Sequence, residues 1–110
     1  METISWEDFE KVDMRVGRII NVEDSLAKKP TYRFTVDFGP ELGLKKSCAA
    51  LTNYPKDALL GQQVIAVVNF PPKKMGPEKS EVLILGLPGK DGGVIRLRPE
   101  RDVDLGVRVY

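Results

Sequence analysis

Pro71 and Pro72 follow directly on an apolar run, Val64 to Phe70, that reads as a buried strand. Neither proline can donate to a sheet ladder, so the chain must leave the sheet at this point. Branched apolar residues resume only from Glu81. Between the two strands lies a proline-stiffened loop carrying Lys73, Lys74 and Lys79, followed by the polar pair Ser80 and Glu81. Three ammonium groups on an exposed, prolyl-stiffened hairpin suit contact with a polyanion. Lysines also serve simply to keep a loop soluble, and composition does not separate the two readings.

The remaining pattern is mostly β. Ser5-Trp6-Glu7-Asp8 fits a helix-capping box, and Trp6, Phe9 and Val12 recur near helical spacing, which predicts a short amphipathic helix over 5–12. So short a helix is unstable alone and must dock its aromatic face on its own sheet or on another subunit. Strands are expected over 15–22, with Gly17 marking a bulge or barrel bend, and over 32–38. In the second of these Tyr32, Phe34, Val36 and Phe38 share one face, and Gly39-Pro40 ends it. Weaker patterns predict a third strand over 44–51, a short helix over 55–60 stopped by Gly61, a fourth strand over 63–70 and a fifth over 81–87. Residues 94–97 and 107–110 supply late edge strands, and 89–93 (Gly-Lys-Asp-Gly-Gly) reads as a hairpin turn. Five strands with a small helix between the third and fourth is the order of an OB-fold, a five-stranded Greek-key barrel. A small β-barrel of another strand order fits the spacing as well.

With 110 residues the chain has room for one domain, taken as 1–110. No apolar run approaches a membrane span, and the acidic amphipathic start is the wrong charge for a secretory leader. Cys48 is the single cysteine, which excludes an intramolecular disulfide and points to a reducing, cytoplasmic setting. With no histidine, ordinary zinc sites and Ser-His or Cys-His nucleophile pairs are excluded. No phosphate-binding glycine loop occurs, and Glu78, Glu81, Asp102 and Asp104 read as solvated charge, so no enzyme activity, metal or cofactor is expected. Cys48 is expected to be structural, with Lys46 as the one charged group placed to perturb it.

The formal net charge of +1 hides an asymmetry: residues 1–13 carry a balance of −4, and residues 28–79 a balance of +5. A near-neutral chain can thus still present a basic face.

Four blocks carry a resemblance to a known family. They are Asp13-Met14-Arg15-Val16-Gly17-Arg18-Ile19, Lys45-Lys46-Ser47-Cys48-Ala49-Ala50-Leu51-Thr52, Val67-Val68-Asn69-Phe70-Pro71-Pro72-Lys73-Lys74 and Lys79-Ser80-Glu81-Val82-Leu83. Their order resembles that of the tRNA-binding OB domains, which occur alone or appended to methionyl- and phenylalanyl-tRNA synthetases. The length and the Ser-Glu-Val-Leu run most resemble the CsaA proteins, described as export-related chaperones with a tRNA-binding fold. The resemblance implies a homodimer built partly on Trp6 and Phe9. It also implies a surface for tRNA or other structured RNA at Arg33, Lys45, Lys46, Ser47, Asn69, Lys73, Lys74, Ser80 and Glu81. Two other roles stay open: holding unfolded or exported polypeptides, with Met75 as an adaptable apolar contact or folded back over the barrel mouth, and docking a tRNA synthetase.

This chain departs from the CsaA pattern in two places. Lys46, Cys48 and Ala50 stand where a glutamine, a serine and a glutamine are usual. Gly76 comes one place early in the lysine loop, which puts Pro77-Glu78 where a glycine and an apolar residue usually precede Lys-Ser-Glu. That loop is expected to be stiffer and more acidic.

Overall fold

The computed structural model describes residues 1–27 and 29–110; of the basic loop expected at 27–30, Lys28 lies outside the described residues. Five antiparallel strands form the main sheet, and three short pieces of helix accompany it. The strands are β1 (Met14–Asp24), β2 (Tyr32–Asp37), β3 (Leu44–Ala49), β4 (Gln63–Val67) and β7 (Leu83–Ile84), in the order β3-β2-β1-β4-β7. That is the OB-fold order, nearly closed where β7 and its flanking residues return to β3. Two separate hairpins, β5 (Lys73–Met75) with β6 (Glu78–Ser80) and β8 (Gly86–Pro88) with β9 (Val94–Arg96), decorate the barrel. Among the described residues no helix is long and apolar enough to cross a membrane.

The length of β1 makes the barrel possible. Its first half, Met14 to Arg18, pairs with β4, and its second half, from Arg18 to Asp24, pairs with β2. The register slips between Ile19 and Asn21, leaving Ile20 as the extra, solvent-facing residue. The bend is therefore a bulge at Ile20, not at Gly17 as the sequence pattern predicts. At that bend Ile19 donates to Gln62 O and accepts from Gly61 N, so the turn after α3 occupies its backbone groups. Gly17 has a different role. A Cβ there would lie 2.5 Å from Val36 Cγ1 and 2.8 Å from Phe38 Cε1, so glycine lets β1 close over the β2 side chains.

The alternation in β2 places Tyr32, Phe34, Val36 and Phe38 in the core, where they pack with Ile19, Leu51, Leu59, Val64, Ala66, Val82 and Ile84. Helix α3 (Lys56–Leu59) contributes the fully buried Leu59, and Gly61 at φ +83° ends that segment as the sequence suggests. A further helical turn, α2 (Gly39–Leu42), was not legible as helix. Gly39 at φ +87° leaves the strand and Pro40 starts the turn, so the Gly-Pro pair that stops β2 also opens α2.

The expected hairpin forms: Gly76 at φ +63° and Pro77 make a tight turn that lets Lys73–Met75 pair with Glu78–Ser80. Three expected strands differ. The fourth ends at Val67, short of the expected Phe70. The fifth strand ends after Ile84, since Gly86–Pro88 pairs with Val94–Arg96 across the 89–93 turn. Residues 107–110 do not form a regular strand. Only Arg15 and Arg108 make a bridge, flanked by Val16 N to Val107 O at 3.1 Å and Val109 N to Met14 O at 2.9 Å.

Helix α1 (Trp6–Glu10) carries the complete capping box: Ser5 Oγ accepts from Asp8 N, and Asp8 accepts from Ser5 N. Its two rings differ in exposure: Trp6 is 76 % exposed, while Phe9 is half-buried.

Gly17→Ala should overpack the β1–β2 contact and destabilise the fold by about 1–3 kcal/mol. Urea denaturation checks this; a midpoint equal to that of the parent would show that Val36 and Phe38 can give way.

Candidate nucleic-acid interface

Residues directly opposite in an antiparallel pair share a face, so the register sorts the candidate side chains. In β3, Ser47 lies opposite Phe34 and Lys45 opposite Val36, on the core side. Lys46 lies opposite Thr35, and Cys48 opposite Arg33, on the outer side. Lys45 and Lys46 therefore diverge. Lys46 Nζ donates to Thr35 Oγ1 at 2.6 Å.

Several of the implied RNA-binding side chains hold the barrel together. Ser47 is 0 % exposed, and its hydroxyl donates to Val82 O at 2.9 Å. Ser80 is also buried; its Oγ accepts from Cys48 N at 3.1 Å and lies 3.0 Å from Val82 O. Glu81 N donates to Lys46 O, and its Oε1 accepts from Lys46 N at 2.9 Å. Together these contacts form the seam between β3 and the chain leading into β7. Asn69 accepts from Asp13 N at 3.0 Å and donates to Lys11 O at 2.7 Å, fastening the end of α1 beside β4.

Arg33 is enclosed by acids. One nitrogen lies 2.7 Å from Glu23 Oε2 and another 3.2 Å from Glu78 Oε1. Glu78, expected as solvated charge in an acidic loop, is 6 % exposed and turned inward. Its other oxygen accepts from Ser25 Oγ at 3.0 Å and from Leu26 N at 3.3 Å. Burial pushes this carboxyl up, but the hydrogen bonds from Leu26, Ser25 and Arg33 outweigh burial and hold it below its ordinary value. The stabilisation they give is present above the ordinary carboxyl range and is lost as pH falls through the lowered value. Burial raises the Cys48 thiol above its usual value, with the Glu78 carboxylate adding to the effect, so burial first and the nearby acid second, rather than Lys46, perturb it.

The hairpin presents the opposite situation. Lys73 pairs with Ser80 and Met75 with Glu78 on the face turned toward the barrel; Lys74 pairs with Lys79 on the face turned to solvent. Lys73, Lys74 and Lys79 are exposed, and among the described residues none of the three makes an ion pair. Lys79, counted in the basic loop but not among the implied site residues, completes this patch. The signal for it was the hairpin register, which a loop reading does not supply. Beside the hairpin runs an apolar groove of about 560 Å³, lined by Phe70, Pro71, Pro72, Met75, Val82 and Leu83, with Lys73 at its edge. Phe70 is 54 % exposed within it.

An OB-fold barrel with a cationic hairpin is the architecture of a binding domain. Residues 14–108 match the family described as "Putative tRNA binding domain". The structure superposes on the CsaA chaperone protein of Picrophilus torridus with a TM-score of 0.93 at 44 % identity, covering 98 % of this chain and 100 % of that one. It superposes on the MetRS-related protein of Pyrococcus horikoshii with a TM-score of 0.87 at 29 % identity, each chain covered in full. A methionine–tRNA ligase of Pyrococcus horikoshii is 38 % identical over 115 residues, and there the chain spans 15 % of the ligase's length. The chain belongs to the tRNA-binding domain family and is of its CsaA type.

Ser80→Ala should leave Cys48 N without its partner at a buried seam and cost about 1–3 kcal/mol of stability. Thermal or urea unfolding checks the loss, and Ser80→Ala proteins that unfold like the parent would remove Ser80 from the closure.

Proposed function

We propose that this domain binds structured RNA, tRNA foremost, through the solvent face of the lysine hairpin. The observation that carries the reading is the Lys74–Lys79 cross-strand pair on the solvent face, with the exposed Lys73 on the opposite face at the groove edge; among the described residues none of the three makes an ion pair. Like charges directly opposite on a sheet are destabilising, and a polyanion relieves that repulsion. The family to which the chain belongs supports RNA as the polyanion. Lysines meet phosphates as point charges and supply affinity without reading sequence. Lys46, on the outer face next to the seam, extends this contact. Lys45 diverges from it, while Ser47, Asn69, Ser80 and Glu81 contribute by shaping the surface. The domain acts by binding rather than catalysis, in the cytoplasm.

Lys73→Ala and Lys74→Ala should weaken binding to different folded RNAs by similar factors. Each lost phosphate contact should lower the log–log salt slope by roughly 0.7–0.9. A folded tRNA should outcompete an unstructured strand of equal length, because shape and backbone rather than unstacked bases are being recognised. Salt-dependent filter binding or anisotropy decides the matter: slopes untouched by both substitutions would place the RNA surface elsewhere.

A second reading, polypeptide holding, is favoured by the apolar groove beside Lys73, whose exposed Phe70 and part-buried Met75 suit an extended apolar segment flanked by acids. The name of the Picrophilus torridus relative agrees with it.

We also infer a homodimer. Trp6 stands out from the barrel on a five-residue helix, and with Ile4, Ser5 and Phe9 it lines a shallow depression that a second copy would cover. Burying the two rings should contribute about 1.5–3 kcal/mol each. Sedimentation of the Trp6→Ala, Phe9→Ala double variant should therefore show dissociation; an unchanged dimer would exclude this helix from the interface.

A further inference from the structure

Among the described residues no ladder joins the β5–β6 hairpin to the five-stranded sheet, and its two strands pair with each other. A lone two-stranded hairpin is marginal in water, so its pose depends on contacts outside its own ladder. Ser80, with the Glu81 N to Lys46 O bond next to it, fixes the end at the seam. At the turn end Glu78 is the residue that reaches across, to Ser25, Leu26 and Arg33, which lie 53, 52 and 45 residues away in sequence. A carboxylate beside a Gly-Pro turn would ordinarily stay in water. Burying one is costly unless it is fully hydrogen-bonded, and this one has three partners. Strand alternation then decides the rest: with Glu78 and Met75 turned inward, Lys74 and Lys79 must point outward.

We propose that Glu78 is a positioning residue for the RNA contact: it tethers the turn end of the hairpin to Ser25, Leu26 and Arg33, aims the Lys74–Lys79 pair at solvent, and neutralises Arg33 so that phosphate contact falls to the lysines. The tether stands on the free protein; its effect on RNA rests on the function proposed above.

The sign of one substitution separates this role from simple charge. Glu78→Gln removes a negative charge near a polyanion site, so Coulomb's law alone calls for equal or tighter RNA binding. Loss of the tether calls for weaker binding. The experiment measures amide hydrogen exchange by NMR on the free Glu78→Gln protein, and its binding to a folded tRNA transcript over a salt series. Expected are faster exchange at the hairpin amides and Leu26 N relative to Val64 and Ala66, and affinity several-fold weaker. The salt slope should drop by about one phosphate contact, roughly 0.7–0.9. In a Lys74→Ala, Lys79→Ala background the same change should have no further effect on affinity. Ser25→Ala, which keeps the charge and removes one hydrogen bond, should shift exchange in the same direction to a lesser degree, and it serves if the Gln protein does not fold. Unchanged exchange overturns the tether. Faster exchange with unchanged or tighter tRNA binding overturns the positioning role, as does a loss that persists without Lys74 and Lys79. Parent protein that binds no folded RNA overturns the proposed function and the positioning role with it, while the exchange data still judge the tether.

Discussion

The barrel depends on a seam made of side chains. Four of the five strands are joined by regular ladders of several residue pairs, but β3 and β7 meet with no ladder between them. One backbone bond, Glu81 N to Lys46 O at 2.8 Å, crosses here, and two buried serines and a glutamate supply the rest: Ser47 and Ser80 converge on Val82 O, Ser80 takes up Cys48 N, and the Glu81 carboxylate takes up Lys46 N. Small hydroxyls suit this place, because each can both donate and accept. Leaving such backbone groups unpaired inside the barrel would cost more than the bonds themselves contribute. The seam also sets where the hairpin starts, since Ser80 is both its last residue and the first point of closure.

The two chain ends attach to the other end of the barrel through the first half of β1. Arg15 grips Asp13 at 2.6 Å and Gly106 O at 2.9 Å, and Arg108 reaches Asp13 and Glu10 O. Asp13 is thus shared by two guanidinium groups, and the Arg15 hydrogen bond holds its carboxyl below the ordinary range. Asn69 completes the attachment from β4. This arrangement fixes the base of α1 while leaving Trp6 in solvent, so the helix is oriented but not covered.

Where one face of a strand is buried, the fold was legible from alternation alone: Tyr32, Phe34, Val36 and Phe38 could point nowhere else. The capping box at Ser5 and the stop at Gly61 were legible because single residues enforce them, whereas β4 ends at Val67, ahead of the stop expected at Pro71. The bulge was misplaced because glycine is the residue type that signals irregularity while Ile20, a β-branched strand former, carries no such signal, and only the packing of Val36 and Phe38 against β1 shows that the glycine answers a steric demand. At the site, the motif residues were visible but their division of labour was not. Ser47 and Ser80 look like surface hydroxyls until the seam is closed, and Glu78 looks like solvated charge until the Gly76-Pro77 turn brings it against Ser25 and Arg33. Burial of a polar side chain is a property of the register between distant strands, and no local pattern encodes that.

The same geometry sorts the cations by type. The balance of +5 over residues 28–79 counts Arg33 with the lysines, although Arg33 faces two carboxylates and presents no free charge. Arg15, Arg18, Arg33 and Arg108 each bridge distant segments, using several donors in fixed directions to satisfy carboxylates and carbonyls at once. A planar fork is suited to that task, and an ammonium on a flexible stem is not. The hairpin lysines are exposed and make no ion pairs among the described residues, so their charge faces solvent. In the proposed RNA contact the hairpin lysines would meet phosphates as adjustable point charges. Affinity would then come from charge density and selectivity from the rigid shape of the barrel behind them, a shape fixed by the arginine bridges and the serine seam.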